Sequence, residues 1–581
     1  GLSLVLAYQQ KHGGGGTSDE AQHWSPGDLS DKEVFALIGR LGRGRANRLM
    51  RGGLVVRIGH EPHPTARLPT CTLQFLVPND LTHARCDCEL GTACEHVLIA
   101  VRAFREAEGA DEATVELAAT GEVDLEATRD ARDLAHEVLW HGMSGAPEAL
   151  DARFERIGQR LDADGQVWPE SALEDLHAAL RWYRSRSARY RPALAEAAAE
   201  LEARCRAADT ESPSVPVGMV LGTAAAEETR LAELRLISLG ARVRSEGSTT
   251  LAEVFLVDPD TSNVLVLRHT VAPVHRRGQK TEPAALTGPE IVAREVVKGV
   301  RLGDLAAGQL LTQTGRRRAN RDLVLSVKAG TQVVREAGDW TALGAPVRLD
   351  SMAEFAERAS KRAPSLLRPR VLAENLHVLQ LKEVRHLMWS PGAQSLIGEV
   401  VLESGESVRI ERRHRSAAPG AIAVLAATLA SAGPCWMSGD VRATEAGLVV
   451  SPTAILVGGS IVVPDLTVDP GTEIELGNVG APNSPIGAAL DQAVALMDEA
   501  AHGGLLQASA AWGDRMQEAS NQLTALGLAR LARLLERSTA SAKGARVGGR
   551  AASPAAPSHW MDARIALVLA RELLFQPGAV T

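Results

Sequence analysis

Apolar and polar positions first fall into a regular order at Ser30. "SDKE" has capping-box form, with Ser30 as cap and Glu33 reaching back, directly before the apolar "VFALIG", and this predicts a short helix. "GGLVVRIGH" and "LPTCTLQFLV" read as two strands around a loop that holds Pro62 and Pro64. Val97, Leu98, Val101 and Phe104 then recur at helical spacing, so the order is helix, strand, strand, cysteine-rich turn, helix.

From Asp111 to Cys205 the density of Ala, Leu, Glu and Arg predicts helix, closed by the linker-like "ADTESPSVPVG". The pattern then changes. "ELRLISL", "LAEVFLV", "VLVLRHTV", "DLVLSV", "VLQLKEV", "SLIGEVVL", "ESVRIERR", "GLVVS" and "SIVVPDL" read as strands between short helical segments. The last hundred or so residues return to helix around the loop-like "AKGARVGGRAASPAAPS". The expected fold class is therefore a multidomain α+β chain. Its parts are a tail over 1–29, a zinc-knuckle module over 30–110, helices over 111–208, α+β units over 209–350 and 351–484, and helices over 485–581 with a loop near 541–558.

Two internal similarities refine this division. "TGRRRANRDLVLS" from Thr314 aligns with "SGDVRATEAGLVVS" from Ser438, each after a hairpin and a helix-like segment, which predicts two copies of one α+β unit. "WHGMSGAPEALDARFERIGQRL" and "AHGGLLQASAAWGDRMQEASNQL" share a His-Gly turn and an amphipathic helix, a weaker similarity because Ala- and Leu-rich helices resemble one another by chance.

Composition narrows the class. With 45% hydrophobic and 23% charged residues the chain has the balance of a soluble globular protein, and its preference for Arg over Lys suits a GC-rich bacterial genome. The net charge of -8 excludes a chain basic throughout, so nucleic acid would have to meet a local patch. The opening "GLSLVLAYQQKHGGGG" lacks the basic segment and cleavage pattern of a signal peptide, and no stretch reaches the ~18 apolar residues of a membrane span. Six cysteines in 581 residues make no disulfide framework, and a reducing cytoplasm is expected.

Four of those cysteines fall between Cys71 and Cys94. Cys86, Cys88, Cys94 and His96 form C-x-C, five residues, C-x-H, a closed set of four soft and borderline donors that suits one structural, tetrahedral zinc. The intervening "ELGTA" must fold back, and Gly91 offers the positive φ for such a turn. Four protein donors leave no open position for catalysis. Cys71 lies in a strand pattern and reads as core, although it or His83 could stand in as a ligand.

The two strands, this turn and the helix after it resemble the SWIM zinc finger over about residues 36–110, with Cys86, Cys88, Cys94 and His96 at the family's ligand positions and a spacer short for the family. That resemblance implies one zinc ion and a DNA-binding or protein-binding role, without catalysis. A SWIM-like module on a long chain without an ATPase signature also looks like bacterial proteins encoded beside MoxR-type AAA+ ATPases and vWA-domain proteins.

Between Ala36 and His60 stand Arg40, Arg43, Arg45, Arg48, Arg51 and Arg57 with no acid among them, a stretch suited to phosphates or to an acidic protein surface. "RWYRSRSARYR" (Arg181 to Arg191) interleaves arginines and aromatics, more readily a helix end whose rings face the core than a stacking platform. "GRRRANR" and "ERRHR" fall at strand ends. No phosphate loop, helicase motif or nucleophile elbow occurs. In "HEVLWH", His136 and His141 would lie about 140° apart on a helix and could not easily share one metal. The expected function is non-catalytic: a zinc-bearing protein that binds nucleic acid, DNA before RNA, or a protein partner, and no membrane. A scaffold working with an AAA+ ATPase and a vWA protein is the alternative, and an enzyme of unrecognised class stands third.

Overall fold

Ser30 caps the first helix as its spacing predicts. Its hydroxyl accepts from the Glu33 N–H at 3.3 Å and the Glu33 carboxylate accepts from the Ser30 N–H at 2.8 Å, opening α1 (Asp31–Met50), which bends at Gly39. The computed structural model describes residues 24–574 apart from 62, 118–122, 185–192, 212, 224, 226–227, 274–284, 327–329, 445–446, 472–473, 475–483 and 548–554. Order begins before the expected boundary at residue 30. A turn at Pro26–Asp28 is tied down by Arg105, whose Nε donates to the Gly27 carbonyl at 2.9 Å.

The N-terminal module is larger than two strands and a turn. β1 (Leu54–Gly59), β2 (Thr65–Arg67), β3 (Thr72–Phe75), β4 (Ala84–Cys86) and β5 (Glu112–Leu117) form an antiparallel sheet ordered β4-β3-β2-β1-β5, with α2 (Glu95–Glu106) across one face. Val56, Ile58, Leu73 and Phe75 meet Val97, Leu98, Val101 and Phe104 in its core. β5 corrects the boundary at residue 110. Glu112–Leu117 lies in the stretch read as helix, yet it pairs with β1 along its length and buries Val115 and Leu117 at period two.

α3 (Glu126–Gly145), α4 (Leu150–Ala163), α5 (Val167–Arg184), α6 (Ala193–Ala208) and the short α7 (Val217–Leu221) follow. The chain then builds a first sheet from β6 (Thr229–Glu246), β7 (Thr249–Val257) and β8 (Val264–Val271). It continues through α8 (Gly288–Ile291), the small hairpin β9 (Glu295–Val297) and β10 (Val300–Arg301), α9 (Leu302–Ala307), β11 (Gln309–Arg317), β12 (Leu323–Leu325) and β13 (Gln332–Val334). Its order is β12-β11-β6-β7-β8, and a parallel bridge between Val266 and Asp322 brings its ends together.

The second sheet comprises β14 (Arg348–Leu349), α10 (Met352–Ser360), β15 (Leu376–Ser390), β16 (Ser395–Leu402), β17 (Ser407–Arg413), α11 (Ala421–Ser431), β18 (Cys435–Thr444), β19 (Gly447–Val457) and β20 (Ser460–Val462). It runs β15-β16-β17-β19-β18, with β17 and β19 parallel, and closes where β18 pairs with β15. Each sheet is a three-stranded meander, then helix, then a hairpin inserted so that the fifth strand lies beside the third. The two aligned sequence segments occupy this last hairpin, β11–β12 in one sheet and β18–β19 in the other.

The two barrels share a core in which Leu236, Leu239 and Leu256 meet Val378, Ala454 and Leu466. The backbones approach closely. Gly240 has φ +97°, and a Cβ there would lie 2.5 Å from that of Ala454. The Ser438 hydroxyl donates to the Leu239 carbonyl at 2.6 Å, and Asp465 accepts from the Val243 N–H at 2.8 Å and from the buried Arg412.

His377 at the start of β15 is 3% exposed, with Nδ1 2.9 Å from the Pro346 carbonyl oxygen and Phe355 edge-on at 5.5 Å. Burial, and next the Arg358 cation, push its pKa down to about 3. The unfolded chain takes up this proton near pH 6.5, so His377 leaves stability intact above that pH and removes it as pH falls toward 3. The expected loss is about 3 kcal/mol by pH 4. Denaturant unfolding at pH 7 and pH 4 should show that loss shrinking in His377→Leu; an identical pH dependence in the variant would assign it elsewhere.

The C-terminal helices α12 (Pro485–Gly503), α13 (Ala510–Ala525), α14 (Ala529–Val547) and α15 (Ala555–Leu574) return to α3–α6. The two helical regions separated in the sequence therefore form one body. Leu134, Leu139, Leu161 and Leu176 share a core with Met497, Met516, Leu535 and Trp560. The two His-Gly turns lie against each other: Gly142 has φ +71°, and a Cβ there would lie 2.3 Å from the Gly504 nitrogen. No helix among the described residues is long and apolar enough to cross a membrane.

Candidate metal centre and nucleic-acid interface

β4 ends at Cys86, and the chain folds back at once. The Cys86 N–H donates to the Gly91 carbonyl at 2.6 Å, and the Gly91 N–H to the Cys88 carbonyl at 3.0 Å, with Gly91 at φ +70° as the turn demands. Cys94 then holds the N-cap position of α2 without a side-chain capping bond, and His96 lies in its first turn. Single donor atoms of Cys86, Cys88, Cys94 and His96 all lie within 4.8 Å of one another, and Cys86 Sγ is 3.5 Å from His96 Nδ1. Cys86, Cys94 and His96 are buried and Cys88 is half-buried.

Hydrogen bonds from Cys86 and Cys94 hold the Cys88 thiol far below its ordinary range, the Cys94 thiol is pushed up by Cys86 and Cys88, and, against its burial, the neighbouring thiols raise the His96 ring to about 10. Three sulfurs and a ring nitrogen within this distance can converge on one divalent ion in a closed tetrahedron. Cys71 is buried in the module's core and comes within ligand reach of Cys86 and Asp87, whereas His83 turns to Asp80 at 3.0 Å.

Asp87, between two of the cysteines, has a role that spacing did not show. Arg317 grips it with two bonds, Nη1 to Oδ2 at 2.8 Å and Nη2 to Oδ1 at 2.9 Å, while Oδ1 also accepts from the Thr72 N–H at 3.0 Å. The Glu89 N–H donates to the Arg230 carbonyl at 2.7 Å. The cysteine turn is thereby locked onto the first barrel. The only sequence signal was the pairing of an acid among ligands with "GRRRANR", two segments far apart in the chain.

Arg40, Arg43, Arg45, Arg48, Arg51 and Arg57 are all exposed on α1, its C-terminal end and β1. Among the described residues, only Arg45 of the six has a carboxylate within 4.0 Å, Glu95 at 3.9 Å, while Arg43 lies over the Phe35 ring at 4.5 Å. Leu41, 80% exposed, stands among them. The other basic runs behave differently. Arg316 and Arg318 share Glu228, Arg412 is buried on Asp465, and Arg413 reaches Glu411 at 3.6 Å. In "RWYRSRSARYR", α5 carries Arg181 to Arg184, and residues 185–192 lie outside the described residues. His136 Nε2 is 2.7 Å from Glu202, and His141 precedes the glycine that meets Gly504.

The class of domain emerges from the helices and the second barrel. Two family models match: the YehQ four-helical bundle domain over residues 125–222, which are α3–α7, and the YehQ C-terminal OB-fold domain over residues 373–484, which hold β15–β20. The chain is accordingly a multidomain α+β protein with a helical bundle and a C-terminal OB-fold. A particular relative fits both: Protein YehQ of Escherichia coli (strain K12) is 28% identical over 486 residues, 78% of this chain and 77% of that protein. A solved structure, the Ifi202 HINa domain in complex with 20bp dsDNA, matches at 6% identity over 38% of this chain and 93% of that one, with a TM-score of 0.18.

These matches overturn the resemblance to the SWIM finger. The families matched are YehQ domains, and the turn at Cys86 belongs to a five-stranded sheet docked on a barrel, not to a two-stranded knuckle. The resemblance rested on the spacing of Cys86, Cys88, Cys94 and His96 and on the strand before them, which are local features.

Proposed function

We propose that this chain is a non-catalytic nucleic-acid-binding protein, acting on DNA before RNA. One structural zinc ion at Cys86, Cys88, Cys94 and His96 braces its N-terminal module, and the arginines of α1 and β1 meet phosphates. The observation that carries this reading is the contrast among arginines: five of the six at the N-terminus lack an ion-pair partner among the described residues, whereas most of the other basic runs are neutralised. Exposed guanidinium groups without internal partners can release counterions from a phosphate backbone. The second barrel is of OB type, an architecture that binds oligonucleotides through its sheet face and hairpin loops, and the first barrel repeats its strand order.

The test is oligonucleotide binding as a function of salt. Affinity should fall steeply from 50 to 200 mM salt, and Arg43→Ala, Arg45→Ala and Arg48→Ala together should weaken it more than tenfold while lowering the log–log salt slope by about 3. Binding that ignores salt, or is unchanged in the triple variant, would refute the reading. Leu41 favours a second reading, in which the same face docks a protein and the chain acts as a scaffold; Leu41→Ser would then break a purified complex with an AAA+ or vWA protein and leave DNA binding intact.

A further inference from the structure

Arg57 faces more than solvent. In the β1–β2 register it lies directly opposite Arg67, and like charges so placed repel each other. Arg67 Nη1 lies 3.5 Å from Asn263 Oδ1, and Arg321 Nη1, from the turn between β11 and β12, donates to that same oxygen at 2.8 Å. Two guanidinium groups thus converge on one neutral carboxamide oxygen with a third beside them. Among the described residues no carboxylate lies within 4.0 Å of Arg57, Arg67 or Arg321. Asp87, the acid that faces them, is already held at both oxygens by Arg317.

Two local factors at Arg321 are unfavourable, set against its bond to Asn263 and the attraction of Asp87. Its backbone adopts φ +70°, a left-handed conformation uncommon outside glycine, and its guanidinium is held among cations. Burial, followed by Arg317 and Arg67, pushes its pKa down to about 9, and burial with Arg57 lowers that of Arg67. Arg358 of α10 and Arg362 just beyond it, paired with Glu354 and Glu374, add positive charge from the second barrel's side, repelling Arg67 and Arg57 in turn. Strain and like-charge crowding of this kind persist at sites organised for a ligand of opposite charge.

We propose that Arg57, Arg67 and Arg321 form a phosphate-binding site between the N-terminal sheet and the first barrel, which takes a phosphate dianion such as the terminal phosphate of a nucleic-acid strand. Three unneutralised guanidinium groups match a dianion better than the single charge of a phosphodiester. Arg321 lies in the β11–β12 hairpin turn, the kind of loop by which an OB-type barrel reaches an oligonucleotide, while Arg57 and Arg67 stand on the facing N-terminal sheet. Its assignment to a strand end rests on the nucleic-acid reading above; the phosphate site itself does not.

The experiment compares thermal unfolding of the whole chain in sodium phosphate and in sodium chloride at equal ionic strength, for wild type, Arg67→Ala and Arg321→Gly. Phosphate also stabilises proteins by exclusion from their surfaces, and the variants measure that part. The wild type should gain a phosphate-specific rise in Tm that both variants lose. Without phosphate, Arg321→Gly should be at least as stable as wild type, because glycine accepts the positive φ and one repelling cation is gone. A merely structural arginine would instead lower Tm when removed, which counts against the site. In parallel, a 5′-phosphorylated oligonucleotide should bind wild type about tenfold tighter than its 5′-hydroxyl counterpart, a preference absent in Arg321→Gly. A specific phosphate effect without that preference supports the site with free phosphate as its ligand. A specific phosphate effect with no oligonucleotide binding supports the site and overturns the nucleic-acid reading. An equal phosphate effect in all three proteins overturns the site.

Discussion

Cys86→Ser with Cys88→Ser should take zinc in the purified protein from about one equivalent to none and unfold the N-terminal sheet. The free energy at stake is large, because a closed site of this kind is worth about 10 to 16 kcal/mol of apparent binding at neutral pH. Cys86 is also part of the core that joins β3 and β4 to α2, and Cys88 packs against it, so the lesion removes packing along with the ion. Damage should extend beyond the module. Arg317 is 4% exposed and pairs with Asp87, between the two substituted residues; once the turn loosens, the first barrel keeps a buried cation without its partner. Metal analysis with denaturant unfolding tests this. Cys205→Ser and Cys435→Ser, buried single cysteines elsewhere, serve as controls that should retain the zinc. A double variant with unchanged zinc content would show that the ligands are wrongly assigned. Acidification should release the ion as well, since its ligands must take up protons.

Asp465→Ala should cost about 4 to 8 kcal/mol and loosen the joint between the two barrels. The carboxylate is 1% exposed, accepts from the equally buried Arg412, and accepts from the Val243 N–H of the first barrel at 2.8 Å. Removing it strands a buried cation, a loss of about 3 to 5 kcal/mol, and leaves a backbone donor unsatisfied, about 1 to 3 more before relaxation. Replacing Arg412 with Met in the same chain should recover part of the loss, because the stranded charge is then gone. Urea unfolding would read both effects. A change below about 1 kcal/mol in Asp465→Ala would mean that the Arg412–Asp465–Val243 contact contributes little to holding the barrels together.

Local features were legible along the chain. The "SDKE" cap, the clustering of Cys86, Cys88, Cys94 and His96 with Gly91 at positive φ, and the two aligned hairpins each involve residues within a few tens of positions, where period and spacing carry the signal. β5 escaped notice because Glu112–Leu117 carries Ala and Glu amid a helix-rich stretch, and only pairing with β1 makes it a strand. The SWIM resemblance failed for a related reason. Ligand spacing records a local turn and says nothing of the sheet around it.

By itself the sequence determined the α+β class, the Cys86, Cys88, Cys94 and His96 cluster and the repeated hairpins, since each follows from short-range periodicity or the reach of a few residues. Only the tertiary structure decided which arginines stay unpaired. Arg317 looks like its neighbours in "GRRRANR", yet it closes on Asp87 across 230 residues, and the helices split between the two ends of the chain share one core. Arg57, Arg67 and Arg321 likewise become a site only where the sheet and the barrel meet. Such contacts depend on closing long loops around a common core, a condition that no local pattern encodes.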